Sequence, residues 1–418
     1  MSKTVTFMTK NFGKYDVNSI GSYESVGGFD ALKRAVTMTG FEIADRIAEC
    51  GVKGRGGAAY DMGKKWHQAR EVDHTDKVVV CNADEGEPCT FKDRTLIEND
   101  PFRLVEAMII AGYSVNAQNG YIYMREEYSH LRPLLLNAIA QAKEKGYLGK
   151  NILGVDGFDY ELHLQSGAGA YVCGEGTALV ESIEGKSGRP RKKPPFIKQC
   201  GLFNLPTCVQ NVESLCLVPS ILMDDERVYN TYGTENSRGT KMISVGGNVK
   251  NPGAFEIPFG ITLREIIYDL AGGVTGNQDI RLIQLGGASG KVCGPDKLDT
   301  PYTYEDLTAA GLTVGSGAIL VVDTRTSVID FLRTTQAFFS HESCGQCTPC
   351  RGGNKQMKYL LEKLAYGSFD AEDLKMMKKV VMIMQQASLC GLGESAQNAL
   401  CSAMKAFPKL FAVNEEVK

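Results

Sequence analysis

The residues best suited to chemistry are thiols in the last quarter of the chain. In 341-HESCGQCTPCRGG-353, Cys344, Cys347 and Cys350 occur as C-x2-C-x2-C. Four thiolates can hold zinc or an iron–sulfur cluster, and spacing helps to separate the two. Zinc ribbons use C-x2-C pairs set a dozen or more residues apart. Three cysteines so close together, with Pro349 beside the third, suit a cubane wrapped by a tight loop whose fourth ligand lies far along the chain. Cys390, in 388-SLCGLGES-395, stands between a helix end and glycines, so its backbone can approach closely. Cys401 competes for that role, but NALCSAMK reads as a helix that buries it. The expectation is one [4Fe–4S] cluster on Cys344, Cys347, Cys350 and Cys390.

Two glycine-rich loops offer anion sites. The first, 51-GVKGRGGAAYDMGKKW-66, contains G-x-G-x-x-A at Gly54, Gly56 and Ala59, with Arg55, Lys64 and Lys65 adding positive charge. A strand should precede a Rossmann fingerprint. FEIADRIAECG reads instead as a helix, so the loop resembles a phosphate cradle of non-standard topology. The second, 166-SGAGAYVCGEGTALVESIEG-185, runs into a helix predicted from near Thr177. Between them, 81-CNADEGEPCTFKDR-94 puts Asn82, Asp84, Glu85 and Glu87 just beyond an apolar strand, where α/β sheets place ligand-binding groups. In 189-RPRKKPPFIK-198, Lys193 and Phe196 beside two prolines offer a charge and a stacking ring.

The elements that must position these groups fall into three stretches. Residues 1–235 alternate strands (Lys77–Cys81, Tyr121–Met124) with helices (Leu104–Val115, Leu134–Lys145), the pattern of an α/β domain with a mostly parallel sheet. A polar, turn-rich segment at Thr234–Thr240 reads as a linker. Residues 236–326 look like a small β-rich domain around one helix at Leu263–Ala271. Residues 327–418 are helical, and their Met and Leu residues at 3- and 4-residue spacing read as bundle core.

Bulk properties set the outer limits. At about 150 residues per domain, 418 residues suggest two or three domains. A net charge of −3 gives no whole-chain attraction to nucleic acid or to an anionic membrane. No apolar run approaches the ~20 residues that span a bilayer, and MSKTVTFMTK does not read as a signal peptide, so a cytoplasmic location without membrane insertion is expected. Thirteen cysteines, an odd number, argue against a disulfide framework there. Cys50, Cys81, Cys173 and Cys216 read as small buried hydrophobes.

GRGGAAYDMGKKW, CNADEGEPCTFKD, GAGAYVCGEGTAL, KKPPF, SCGQCTPCRGG and SLCGLG, in that order, resemble the flavin-carrying NADH-oxidising subunit of respiratory complex I. Related subunits occur in NAD(P)-linked and electron-bifurcating hydrogenases. The resemblance covers nearly the whole chain. It implies an NAD(P)H dehydrogenase with a Rossmann-like FMN domain, a ubiquitin-like β-grasp domain and a C-terminal helical bundle carrying the cluster. It implies FMN contacts at Gly54, Arg55, Gly56, Lys65, Asn82, Asp84, Glu85, Tyr171, Gly174, Glu175 and Asn211. Tyr60, Glu87, Gly176, Lys193 and Phe196 match nucleotide-binding positions. Glu85 is expected to position and tune rather than to act as an acid or base, since FMN itself joins two-electron hydride chemistry to one-electron transfer. The resemblance also implies a small [2Fe–2S] thioredoxin-like partner and at least one further redox subunit.

The chain departs from the family pattern in four places. CGEG stands where CGEE is usual, so Gly176 lacks a carboxylate that would repel a 2′-phosphate. Cys89 replaces a glycine, Gln210 an asparagine, and Gln68 an adenine-stacking aromatic. The thioredoxin-like extension and two-cluster ferredoxin module of hydrogenase-type relatives are not in the sequence, so further clusters are expected on partners. A bifurcating subunit running in either direction, a non-catalytic nucleotide-binding scaffold and a zinc-stabilised regulator are the alternative readings.

Overall fold

Strand β1 (Val78–Ala83) is the element around which the first half of the chain is arranged. Its sequence, VVVCNA, is almost continuously buried, as a strand covered on both faces requires. In the computed structural model, which describes residues 3–413, it lies inside a four-stranded sheet with β2 (Asn119–Met124), β3 (Glu161–Ser166) and β4 (Thr207–Asn211). The order is β3-β2-β1-β4 and every pairing is parallel, with Val78 opposite both Asn119 and Thr207. Residues 1–2 and 414–418 of the expected first and third domains lie outside the described residues.

The chain divides into two compact units. The first gathers residues up to Gly86, Phe91–Ile243 and Ala254–Gly260; the second gathers Glu87–Thr90, Ser244–Gly253 and residues from Ile261 onward. The first contains the parallel sheet with helices α1 (Gly40–Glu49), α2 (Met62–Arg70), α3 (Lys92–Asn99), α4 (Pro101–Val115), α5 (Arg132–Glu144), α6 (Gly176–Ile183) and α7 (Val212–Met223). Helix α4 opens on Pro101, whose missing N–H costs nothing in a first turn, and closes on Asn116 in the left-handed region. Nearly all its residues are buried, so its charged members need partners: Arg103 meets Asp100 at 3.0 Å, and Glu106 accepts from the Tyr23 hydroxyl at 2.7 Å.

The segment expected as a linker is a closed turn. Thr234 N–H donates to the Ser237 carbonyl at 2.9 Å, and Thr240 is buried with its hydroxyl on Glu256. Gly233 and Gly239, with φ of 86° and 79°, supply left-handed backbone that polar composition alone does not distinguish from a loose connection.

Further strands are β5 (Thr240–Gly247), β6 (Gly253–Pro258), β7 (Ile280–Leu285), β8 (Lys291–Cys293) and β9 (Ala318–Asp323), ordered β6-β5-β9-β7-β8. In the second unit β9 runs parallel to β5 from Ser244 onward and antiparallel to β7. The helix expected at Leu263–Ala271 is present over 263–270, with Glu265–Leu270 wound as a π-helix. The C-terminal helices of this unit are α8 (Val328–Glu342), α9 (Thr348–Ala365), α10 (Ala371–Ala387), α11 (Gly391–Ser395) and α12 (Asn398–Ala406). Helix α12 is fixed to the β7–β8 hairpin by Asn398 Nδ2 on the Ser289 carbonyl at 2.8 Å and by Val292 N–H on Ser402 Oγ at 2.9 Å. Among the described residues no helix is long and apolar enough to cross a membrane.

Two local features of the first unit tie its helices to the glycine loop and to the end of β1. Helices α1 and α2 cross so closely at Gly63 that a Cβ there would lie 2.6 Å from the backbone nitrogen and Cβ of Ala48. Helix α3 lacks a side-chain cap on its own N-cap residue, Phe91. Glu85 supplies the cap instead, accepting from Asp93 N–H at 2.9 Å, Arg94 N–H at 3.1 Å and the Tyr128 hydroxyl at 3.1 Å. Burial, with the Asp93 charge adding, pushes the Glu85 carboxyl up to about 7 against the pull of Lys92 and those N–H donors.

Gly63→Ala gains about 1 kcal/mol of helix propensity, yet the clash should lower stability by about 1–3 kcal/mol. Denaturant unfolding of the two proteins checks this, and a variant at least as stable as the parent would refute the close-contact account. The raised Glu85 carboxyl keeps its proton in the folded chain where an unfolded glutamate, with a pKa of about 4.3, has lost it. Its contribution is therefore complete below that value and is lost as pH rises to about 7. Between about pH 5 and 7.5 the parent should lose on the order of 2 kcal/mol relative to Glu85→Gln; parallel stability curves would contradict it.

Candidate functional site

The first glycine loop is closed at its base by antiparallel pairing. Gly54 N–H donates to the Tyr60 carbonyl at 2.7 Å and Met62 N–H to the Val52 carbonyl at 2.9 Å. Asp61 then caps α2 by accepting from Lys64 N–H at 2.7 Å, which sets Lys65 in the helix's first turn. Lys65 Nζ donates to the Val209 carbonyl on β4 at 2.5 Å, and burial lowers its pKa. Gly56 passes so near Asn211 that a Cβ would sit 3.3 Å from the asparagine Cβ.

The second loop ends in a short 3₁₀ turn, Tyr171–Gly174, and Glu175 caps α6 by accepting from Thr177 N–H at 2.9 Å and Ala178 N–H at 3.0 Å. Its other oxygen meets Lys193 Nζ at 2.7 Å. Burial would raise the Glu175 carboxyl, but the hydrogen bonds from Lys193 and Thr177 hold it below the usual carboxylate range. Asn82, at the end of β1, ties strand to loop by donating Nδ2 to the Gly174 carbonyl at 2.8 Å.

Between these walls is a cavity of about 370 Å³. Gly54, Arg55, Gly56, Tyr60, Lys65 and Asn82 line it, together with Gly174, Glu175, Gly176, Lys193, Phe196, Gln210 and Asn211. A second cavity of about 290 Å³ shares Tyr60, Lys65 and Phe196 and adds Gln68, Lys198 and Cys208. Tyr60 and Phe196 keep exposed rings, at 44% and 50%. Gln68 accepts from both the Tyr60 hydroxyl and Lys198 Nζ at 3.2 Å, placing an amide where a ring was the alternative.

Several site residues stand elsewhere than their residue types suggest. Asp84, Glu85 and Tyr171 are outside the lining of these cavities. Arg55 belongs to the wall, but its guanidinium turns inward to the Tyr229 hydroxyl at 2.9 Å and the Phe259 ring at 5.1 Å, so its charge does not add to that of Lys65. The cause is Glu213, fully buried 3.9 Å from Arg55 Nε. Glu213 also pairs with Lys241 at 2.6 Å and Lys92 at 3.1 Å, while Lys92 and Asp93 hold the two ends of the Asn211 amide. The signal for this network is one acid, Glu213, in the otherwise apolar VESLCLVPSILM, which demands a buried partner. Glu87, in the second unit, accepts from Ser289 N–H and hydroxyl. In the same segment Cys89 holds a φ of 66°, the region that favours glycine.

In the second unit Cys347 is the N-cap of α9 and Cys390 that of α11, with Cys344 in the preceding loop and Cys350 in the first turn of α9. A Cβ on Gly393 would lie 2.9 Å from Cys350 Cβ, so α11 can approach only through glycine. Cys350 is buried and the other three are partly exposed; Cys401 is half-buried with Gln385 Nε2 3.9 Å from its sulfur. No three His, Cys, Asp or Glu side chains among the described residues converge on a single ion. Four thiolates on separate loop and helix ends suit a cubane, whose ligands attach to different irons. The glycine-walled cavity with Lys65 likewise has the size and donors to take a flavin phosphate and ring.

Residues 47–220 match the family model described as the Nuo51 FMN-binding domain. Residues 330–414 match the NADH-ubiquinone oxidoreductase-F iron-sulfur binding region, and 242–296 an SLBB domain. The chain is 41% identical to the F subunit of the NADH-quinone oxidoreductase of Aquifex aeolicus, over 97% of this chain and 93% of that protein. It is 39% identical to the HndC subunit of the NADP-reducing hydrogenase of Solidesulfovibrio fructosivorans, over 100% of this chain and 84% of the relative. A chain of an NAD+-reducing [NiFe]-hydrogenase superposes with a TM-score of 0.81 at 33% identity; the match covers 92% of this chain and 66% of that one. The chain belongs to the family of FMN- and iron–sulfur-binding NADH-oxidising subunits typified by the F subunit of NADH-quinone oxidoreductases.

Proposed function

We propose that the chain is the electron-input subunit of a larger oxidoreductase. NAD(P)H exchanges a hydride with FMN in the glycine-walled cavity, and electrons leave singly through a [4Fe–4S] cluster on Cys344, Cys347, Cys350 and Cys390 to a partner subunit. The observation that carries this reading is one cavity walled by both glycine loops, Lys65, Asn82 and Asn211, in a chain that also places four cysteines on the loop and helix ends around α9 and α11. FMN supplies the conversion from paired to single electrons. Three functional parts follow the chain: 1–235 for flavin and nucleotide, 236–326 as a β-grasp module, and 327–418 for the cluster.

The chain's own groups bind and orient. Lys65, in the first turn of α2, offers a cation to the flavin phosphate beside the N–H groups of the first loop. Asn82 fixes the second loop against the end of β1, and Lys92 and Asp93 lock the Asn211 side chain, so the cavity floor is set before any ligand arrives. Glu85 acts behind this wall by holding the start of α3, from which Lys92 and Asp93 project. Tyr60 and Phe196 present open ring faces to the adenosine half of the nucleotide, and Lys193 brings a charge to the same mouth. Partners include a small [2Fe–2S] thioredoxin-like subunit and a further redox subunit, consistent with relatives that are themselves subunits of complexes.

The choice of nucleotide turns on Gly176. A Cβ there would meet Ile197 Cδ1 at 3.2 Å, so a side chain requires the end of Ile197 to shift slightly, and no backbone atom stands in its way. Similarity to an NADP-reducing hydrogenase subunit supports the same inference, that NADP(H) is accepted alongside NAD(H).

With FMN and iron–sulfide reconstituted anaerobically, NADH should bleach the flavin and produce a reduced-cluster EPR signal. Cys390→Ser should keep the bleaching and lose the signal, whereas full cluster content in that variant would show that another cysteine is the ligand. The kcat/KM values for NADPH and NADH should agree within about tenfold, and Gly176→Glu should cut the NADPH value by at least about tenfold. A parent preference for NADH of about a hundredfold would refute the role given to Gly176.

A further inference from the structure

Three buried amides lie end to end in the helical region and finish on a cysteine sulfur. Gln397 Nε2 donates to Gln336 Oε1 at 3.0 Å, Gln336 Nε2 donates to Asn354 Oδ1 at 2.8 Å, and Asn354 Nδ2 donates to Cys350 Sγ at 3.3 Å. Their exposures are 0%, 3% and 1%, so water replaces none of these bonds. They come from three separate elements: Gln336 from α8, Asn354 from α9 one turn beyond Cys350, and Gln397 from the residue before α12. Gln397 Nε2 also reaches Met384 Sδ on α10, at 3.6 Å. Ser343 Oγ stands 3.2 Å from the same cysteine sulfur and accepts from Gly345 N–H at 3.4 Å, which leaves its own hydrogen for Cys350.

The direction of this chain is dictated from its sulfur end. A thiolate only accepts, so Asn354 must present its NH2 group and leave Oδ1 to accept. Gln336 must then present its own NH2 to that oxygen, and its Oε1 must accept from Gln397. Reversing any one amide would set two donors or two acceptors face to face in the interior, where neither can turn to water. Every dipole therefore turns its positive end towards Cys350, and bonds so aligned polarise one another. Packing alone does not call for this. Apolar side chains of similar volume would fill the same core without the desolvation cost of three amides.

We infer that Asn354, backed by Gln336 and Gln397, is a redox-positioning residue that raises the reduction potential of the cluster through the Cys350 sulfur. This rests on the reading of Cys350 as a cluster ligand. On reduction one electron, drawn from the flavin that NAD(P)H has reduced, adds to the cluster, and no bond forms or breaks. The reduced cluster bears one more negative charge than the oxidised one, so a donor fixed on a ligand sulfur stabilises it more. Cys350, with two donors and the deepest burial of the four cysteines, is where that bias enters.

The test is an EPR-monitored redox titration of the full chain after anaerobic reconstitution, with iron and sulfide content measured on each sample. Asn354→Leu should move the midpoint potential to more negative values at parental iron content. Asn354→Thr, which restores an O–H donor, should recover part of the shift. Gln397→Met touches no ligand and should shift the potential in the same direction by less. A purely structural role would change cluster retention or thermal stability and leave the potential of the retained cluster in place. An unchanged potential in Asn354→Leu at full iron content overturns the inference. If that variant fails to hold iron, an unchanged potential in Gln397→Met overturns it instead. A parent chain that takes up no cluster would overturn the ligand assignment itself, a result separable from the first two.

Discussion

The arrangement of the first unit depends on one buried carboxylate. Glu213 has no access to water and draws Arg55, Lys92 and Lys241 to itself from the glycine loop, the start of α3 and the start of β5. Removing one partner from a buried ionic cluster leaves an uncompensated charge, typically at a cost of about 3–5 kcal/mol. The three segments are thus held to one point, and the glycine loop, which forms part of the cavity wall, is anchored from behind. The same attraction explains why Arg55 faces inward and why Lys65 is the basic side chain from that loop that remains on the cavity.

A division of labour follows between backbone and side chains. The flavin-sized cavity is walled largely by small residues and by N–H groups of two capped turns, because close approach to an anion is easiest where no Cβ intervenes. Side chains act mainly one step behind: Glu85 caps α3, α3 presents Lys92 and Asp93, and these two lock Asn211. The cysteines of the second unit obey a similar logic. Helix ends and glycines place the thiols, and a buried polar chain behind Cys350 sets the electrostatics they experience.

What the sequence determined by itself is whatever depends on near neighbours. The C-x2-C-x2-C spacing is local geometry, since thiols three residues apart are brought onto one tight turn by the backbone alone. Strands over Lys77–Cys81 and Tyr121–Met124 and a helix ending at Val115 were legible from short apolar runs and helical spacing, and the observed β1, β2 and α4 overlap them. The two glycine-rich loops were legible as composition, and at Gly56 close approach is real, since a Cβ there would sit 3.3 Å from Asn211 Cβ. Tertiary structure alone decided where charges and amides point. Arg55 turns away from the cavity and Glu85 caps a helix seven residues on because their partners, Glu213 and the α3 N–H groups, are set by folding rather than spacing. Gln336, Asn354 and Gln397 are spread over sixty-one positions and carry no common pattern. Only the packing of α8, α9 and α12 brings them into line, and burial then makes each hydrogen bond obligatory.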